Sequence, residues 1–136
     1  MNSGLVLIDT SAWVHALRKQ APRILADLVR QIVLERRGAT TGMIILELLG
    51  GVRTEHEYRA LSEELNALQY LPTDTAWPQA WRLSFELRRH GVTVPSADLL
   101  IASVAIEHDC TLFHADEHFS LIQRYTRLSV QEAPIP

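Results

Sequence analysis

The groups in this chain best suited to chemistry are the acids Asp9, Glu47, Asp98 and Asp116. Asp9 ends the apolar run Leu5-Val6-Leu7-Ile8, and Asp116 follows Thr111-Leu112-Phe113 at a similar boundary. Asp98 opens the apolar stretch from Leu99 to Ile106, and Glu47 is the only charge within Met43-Ile44-Ile45-Leu46-Glu47-Leu48-Leu49. An ionised carboxylate in apolar surroundings is costly unless it is paired, exposed or bound to a cation. Carboxylates that converge repel one another and raise each other's pKa values, so a cluster of them makes sense as a cation site. Oxygen donors suit Mg²⁺ or Mn²⁺. Such a site turns bound water into a nucleophile and steadies a phosphoryl oxygen. Each acid also has a plainer reading. Asp9 fits a turn or helix cap, Glu47 an outward-facing helix position, and Asp98 a favourable charge at a helix N-terminus. Whether the four meet depends on the elements that carry them.

Leu5 to Ile8 reads as a short strand buried on both faces. Thr10 or Ser11 caps the helix that follows, which carries Ala12, Trp13, Val14 and Leu17 and ends near Gln20. Pro22 opens a second helix with the stripe Ile24, Leu25, Leu28, Val29, Ile32 and Val33. Arg36-Arg37-Gly38 reads as its basic last turn and glycine cap. A strand at Ala39-Thr40-Thr41 leads into the Glu47 helix, which Gly50-Gly51 breaks. Thr54 and Glu57 form a capping box for a helix buried along Leu61, Leu65 and Leu68. Tyr70-Leu71-Pro72 suits an edge strand. The next helix starts at Thr73-Asp74-Thr75 and ends at Arg88-Arg89-His90-Gly91. Its tryptophans, Trp77 and Trp81, suit core or interface anchors better than base-stacking platforms. Ser96 caps a helix that is apolar nearly all round and therefore central. Thr111 to Phe113 is a last buried strand, Leu121 and Ile122 continue as a short helix, and the tail over 131–136 is expected to be loose.

Strands alternating with helices predict a mainly parallel sheet covered on both faces. Right-handed crossovers put the strand C-termini on one edge, where Asp9 and Asp116 emerge. Asp98 begins the helix before Asp116's strand, and Glu47 lies in the helix after the second strand. Four distant segments thus deliver their acids toward one pocket.

The chain's 136 residues make one domain, with a core over about 5–122. Its apolar fraction of 47% and charged fraction of 21% are those of a soluble globular protein. No apolar run approaches the ~20 residues that span a bilayer, and the opening Met1-Asn2-Ser3-Gly4 lacks the basic region of a signal peptide. The single cysteine, Cys110, sits in apolar sequence, suits the core, and fits a reducing cytoplasm. The net charge of −3 argues against a protein that coats nucleic acid nonspecifically. It leaves room for a nuclease, in which acids bind metal while local arginines hold phosphates.

The motifs Leu7-Ile8-Asp9-Thr10-Ser11-Ala12-Trp13, the apolar helix around Glu47, Pro95-Ser96-Ala97-Asp98-Leu99-Leu100-Ile101-Ala102, and Asp116-Glu117-His118-Phe119 occur in this order. In that order they resemble the motifs of PIN-domain ribonucleases, most of all the VapC-type toxins of toxin–antitoxin pairs. The resemblance covers roughly Leu5 to Ile122. It implies a three-layer α/β/α fold, Mg²⁺- or Mn²⁺-dependent cleavage of single-stranded RNA, a cognate antitoxin as partner, and a homodimer. It assigns Asp9, Glu47, Asp98 and Asp116 to the acidic site. Ser11 is a candidate to hold one of these acids in place. In this reading Asp9, Asp98 and Asp116 hold the cation, and Glu47 completes the site or orients the attacking water. Arg18, Lys19, Arg88 and Arg89 are candidates to hold the RNA backbone.

The chain departs from the family pattern at His114, where members often have Thr, and at His118, where some carry a further acid. Hard oxygen sites suit Mg²⁺ better than imidazole does, so both histidines read as a polar rim or RNA contact rather than as ligands. A receiver-type regulatory module is the alternative from another class. It requires adjacent acids after the first strand and a late lysine, whereas Asp9 stands alone and Lys19 is the only lysine. A PIN domain that binds RNA without cutting it is a third reading, against which the complete set of four acids argues.

Overall fold

The computed structural model describes residues 3–135. Met1 and Asn2 of the opening segment, and Pro136 of the expected loose tail, lie outside the described residues. The described residues form a five-stranded parallel sheet, flanked by seven helices in an α/β/α arrangement.

Strand β1 (Val6–Ile8) is buried along its whole length, as its unbroken apolar run requires. Helices α1 (Thr10–Ala16) and α2 (Arg23–Leu34) carry the chain to β2 (Gly38–Thr40). Helices α3 (Gly42–Gly50) and α4 (Glu55–Asn66) lead to β3 (Gln69–Tyr70). Helices α5 (Trp77–Arg89) and α6 (Ser96–Glu107) return the chain to β4 (Thr111–His114), and α7 (Glu117–Gln123) leads to β5 (Ser129–Glu132). The strand order is β3-β2-β1-β4-β5, every neighbouring pair parallel. The chain therefore winds outward one way from β1, then crosses to β4 on its other side. That reversal makes β1 and β4 the switch point of the sheet, and ligands of open α/β sheets bind in the crevice beyond the strand ends there. In the register Ile8 pairs with Phe113, so Asp9 and His114 are the next residues out.

The core sits around β1, β4 and α6. Leu7, Ile8, Ile101, Leu112, Phe113 and Phe119 are fully enclosed. Helix α6 is buried from Leu99 through Ile106, as expected of a helix apolar on all sides. Cys110 is buried and free, in keeping with a core role.

Several local expectations need correction. Helix α1 stops at Ala16 rather than near Gln20, and its cap is Asp9 rather than Thr10 or Ser11. Helix α5 begins at Trp77, with Thr73 to Thr75 in the preceding turn. Ser96 is the first residue of α6, and Pro95 precedes it as cap. Gly38 does not cap α2. Arg36 takes the left-handed conformation there (φ 58°), and the Arg37 N–H closes on the Ile32 carbonyl at 3.1 Å. Gly38 lies instead inside β2, where a Cβ would come 2.8 Å from Leu68 Cδ2 and that side chain would have to shift. Gly91 does cap α5, with φ 76° and the Val92 N–H bonded to the Leu87 carbonyl at 2.9 Å. The stretch expected to be loose includes Gln131 and Glu132, which pair with β4, and Ala133, which is buried and bonded to the His114 carbonyl. Trp77 and Trp81 lie at the surface, which removes the core reading and leaves that of interface anchors.

Candidate active site

The site forms beyond the ends of β1 and β4. Asp9 continues β1, its N–H bonded to the Phe113 carbonyl at 2.9 Å, and turns the chain into α1 as the helix cap. The plain capping reading of Asp9 is thus correct, but it uses only one carboxylate oxygen. Oδ2 accepts the Ser11 N–H at 2.9 Å and the Ser11 hydroxyl at 2.5 Å. Oδ1 is buried and has no hydrogen-bond partner among the described residues. Asp9 is 3% exposed. Burial pushes its carboxyl above the usual range, the Ser11 bonds pull the other way, and the nearby Glu47 charge adds to the rise.

Asp116 leaves β4 and caps α7, its Oδ1 accepting the His118 N–H at 2.9 Å. Asp98 comes from the opposite direction. Helix α6 precedes β4 and runs antiparallel to it, so the first turn of α6 stands at the strand C-terminal edge. The Asp98 carboxyl is pushed up to about 6, first by burial, then by the charges of Asp116 and Asp9, while His118 opposes the rise. This mutual influence places Asp9, Asp98 and Asp116 in one electrostatic environment.

His118 joins them. Its Nδ1 lies 3.0 Å from Asp98 Oδ2 and 3.0 Å from Asp116 Oδ1. Among the described residues, Asp98, Asp116 and His118 each offer a ligand atom within 4.8 Å of the others. The expectation that His118 belongs to a polar rim is therefore replaced: it lies between two of the acids. The trio does not include Asp9 or Glu47. Glu47 is exposed on α3 and tied to the first turn of α1 by the Thr10 hydroxyl, which donates to Oε1 at 2.7 Å. Thr10 reads from sequence as a candidate helix cap and not as a site residue. Its position directly after Asp9 was the available signal.

His114 also departs from expectation. It is the last residue of β4 and 1% exposed, so it is neither rim nor RNA contact. Nδ1 accepts the Asp116 N–H at 3.1 Å, which places the ring proton on Nε2. Burial holds the imidazole below its usual pKa. The ring meets Phe119 edge to face at 5.3 Å. Ser11 completes this support: its Oγ donates to Asp9 and accepts the Ala115 N–H at 2.9 Å. The β4–α7 turn that aims Asp116 is thus pinned at consecutive N–H groups by Ser11 and His114.

The donor set fits a divalent cation. Two carboxylates and an imidazole converge, and a third carboxylate nearby keeps a buried oxygen unpaired, which is costly unless something positive meets it. The proposed RNA-holding residues divide. Arg18 lines a groove with Glu47, Leu48 and Leu61, while Lys19 and Arg88 are exposed. Arg89 stacks over Phe85.

The pattern of the PIN domain matches residues 6–125. The chain belongs to the PIN-domain family. It is 36% identical over 129 residues to ribonuclease VapC11 of Mycobacterium tuberculosis, covering 91% of this chain and 96% of that relative. It is 30% identical over 125 residues to ribonuclease VapC18 of the same organism, covering 88% of each. Its fold resembles that of VapBC2 from Rickettsia felis, solved bound to a promoter DNA fragment. The TM-score is 0.79 at 21% identity, over 94% of this chain and 98% of that one. It likewise resembles DNA-bound VapBC from Salmonella typhimurium, with a TM-score of 0.79 at 19% identity, over 98% and 100%. Membership in the PIN family sets aside the receiver-type alternative. Among the described residues, no helix is long and apolar enough to cross a membrane.

Proposed function

We propose that this PIN domain is a Mg²⁺- or Mn²⁺-dependent endoribonuclease acting on single-stranded RNA, the toxin of a cytoplasmic toxin–antitoxin pair. The observation that carries the reading is the meeting of Asp98, Asp116 and His118 within 4.8 Å at the sheet's switch point, with the charge of Asp9 felt at Asp98. The relatives named ribonuclease VapC support the reaction class, and the likeness to VapBC proteins supports an antitoxin partner.

Asp9, Asp98 and Asp116 would hold the ion. When bound there, a divalent ion lowers the pKa of water and offsets charge on a phosphoryl oxygen. Glu47, exposed at the edge of the site, is placed to complete the site or to orient the attacking water from its Thr10-braced position. His118, its Nδ1 3.0 Å from both Asp98 and Asp116, would join them around the ion. Ser11 and His114 fix the backbone from which Asp9 and Asp116 project. Trp77 and Trp81, exposed on one face of α5, support a homodimer.

The test is cleavage of an end-labelled RNA of mixed sequence, presented as a single strand and as a duplex, with EDTA, Mg²⁺ or Mn²⁺. Cutting of the single strand only when an ion is present is the expected result. Absence of cleavage with either ion, or equal cleavage by Asp98→Asn prepared in parallel, would overturn the reading. For the partner, the short DNA-binding protein encoded by a neighbouring gene should bind the toxin and silence it. A complex that cuts as fast as the free protein would overturn that half.

A further inference from the structure

The C-terminal end of α5 carries chemistry that the acidic site does not use. Arg82, Phe85, Glu86, Arg89 and His90 face Tyr125 across a shallow pocket of about 290 Å³. Arg82 Cζ and Arg89 Cζ each lie 5.5 Å from the Phe85 ring centroid. His90 and Tyr125 stack at 4.9 Å with 30° between their planes. Phe85 and Tyr125 both remain about half exposed, 51% and 44%. Both side chains thus leave aromatic surface in water that the folded monomer has not used for its core.

Charge is segregated here too. The segments 82–90 and 121–128 carry Arg82, Arg88, Arg89, Arg124 and Arg127 against the single acid Glu86, in a chain whose net charge is −3. Glu86 is already paired to Arg82 Nε at 2.8 Å. Arg89 has no such acid partner among the described residues, and its guanidinium lies over Phe85. Aromatic faces interleaved with unneutralised guanidinium groups match a strand of nucleic acid. Bases stack on the rings and phosphates meet the arginines, with no demand on sequence.

The topology aims this surface at the acids. Helices α5 and α6 pack against each other as a hairpin, so the end of α5 and the first turn of α6, which holds Asp98, lie at the same end of it. Helix α7, capped by Asp116, spans about 10 Å and delivers Tyr125 two residues past its end. A short single strand crossing the acids can reach both features.

We propose that Phe85, His90 and Tyr125, with Arg89, form a base-stacking subsite for single-stranded RNA beside the acidic centre. The subsite rests on the nuclease reading for its substrate but is tested apart from it. It holds one or two flanking bases and one phosphate, positioning the strand without touching the scissile bond. A duplex, whose bases are already stacked on each other, does not gain from it.

The experiment is fluorescence anisotropy of a labelled single-stranded RNA 12-mer with the full chain in EDTA, so that binding is read without cleavage. Tyr125→Ala is expected to weaken binding about tenfold, since stacking on one aromatic is worth 1–3 kcal/mol per base. Tyr125→Phe keeps the ring and should bind like wild type, which separates stacking from loss of fold. Arg89→Gln should reduce the slope of log K against log salt by about 0.7, the loss of one phosphate contact to a single strand. Binding within twofold of wild type for both Tyr125→Ala and Phe85→Ala would overturn the subsite. So would a Phe85→Ala protein that changes oligomeric state while its RNA affinity holds, since the face then belongs to self-association. Cleavage of the same RNA by wild type in Mn²⁺ is measured separately. Its failure would sink the nuclease reading, whereas unchanged binding in the variants sinks the subsite alone.

Discussion

Ser11 and Asp9 are bound twice through one carboxylate oxygen, the Ser11 N–H and the Ser11 hydroxyl both donating to Oδ2. The arrangement satisfies the helix cap with half of the carboxylate and leaves Oδ1 for the site. The same hydroxyl accepts the Ala115 N–H, so a single Oγ links the ends of β1 and β4. Ser11→Ala should cost about 1–3 kcal/mol in stability, because the Ala115 N–H loses its partner and Asp9 one of its donors. Mn²⁺ affinity should drop about 10- to 100-fold, the usual effect of removing a group that orients a ligand. Thermal melts and calorimetric Mn²⁺ titration measure both. A Ser11→Ala protein with wild-type Mn²⁺ affinity would show that Asp9 is positioned without it.

Asp98→Asn tests the acid whose pKa the site perturbs to about 6. The side chains are nearly isosteric, and removing a charge that its neighbours repel should not harm the fold. Cleavage is expected to drop on the order of 10²–10³-fold, the scale for losing one preorganised electrostatic group. The metal-free melting temperature at neutral pH should stay level or rise. A folded variant cutting at wild-type rate removes Asp98 from the reaction.

Much of this arrangement was legible in the order of residues. The apolar runs before Asp9 and Asp116 announced two buried parallel strands, because a strand covered on both faces has no polar side to alternate with. Strand β5 was missed for the opposite reason. Ser129 to Glu132 lies at a sheet edge, mostly exposed, so its composition reads like a polar tail. The cap of α2 was misread because a non-glycine residue, Arg36, takes the left-handed position while Gly38 enters β2 close to Leu68, which no local spacing reports. The histidines show the same limit. His114 and His118 are four residues apart, yet one lies inside the sheet edge and the other among the acids. Only the register of β4 and the start of α7 distinguish them.

His114 supplies a prediction of its own. Its Nδ1 accepts the Asp116 N–H inside a buried turn. His114→Leu fills the space but leaves that N–H unpaired, so both stability and cleavage should decline, the former by about 1–3 kcal/mol. His114→Asn offers an amide oxygen and should recover part of each. Equal loss in the two variants would indicate that packing against Phe119, rather than the hydrogen bond, is what the position provides.

Trp81 is 67% exposed on α5, with Trp77 one turn before it. Large exposed aromatics on one helix face are typical anchors of an interface. Light scattering at micromolar concentration should give the mass of two chains for wild type and of one chain for Trp81→Glu, because a buried unpaired charge opposes association. A wild-type monomer would refute the homodimer.

The pH dependence of the metal-free protein follows from the acids. The Asp98 carboxyl rises from 3.8 to about 6 in the folded state, and that of Asp9 also rises. A group with a raised folded pKa binds its proton more tightly when folded. Its contribution to stability is therefore complete below 3.8 and lost as pH climbs toward 6. For Asp98 the shift corresponds to a loss on the order of 3 kcal/mol. His114 works in the opposite sense. Its folded pKa is lowered from 6.5, so its contribution is present above that value and lost as pH falls through the lowered one. Melts in EDTA across pH 4 to 8 should thus show the two trends opposing each other. Asp98→Asn should remove the Asp98 share of the decline with rising pH, leaving the share of Asp9 and the opposite trend from His114. Mn²⁺ should raise the melting temperature at neutral pH, where it meets the ionised acids, by an amount corresponding to about 2.7 kcal/mol at a hundredfold excess over its dissociation constant. In Asp98→Asn the same Mn²⁺ addition should have much less effect. Melting temperatures indifferent to Mn²⁺ in both proteins would mean that these side chains do not form a cation site.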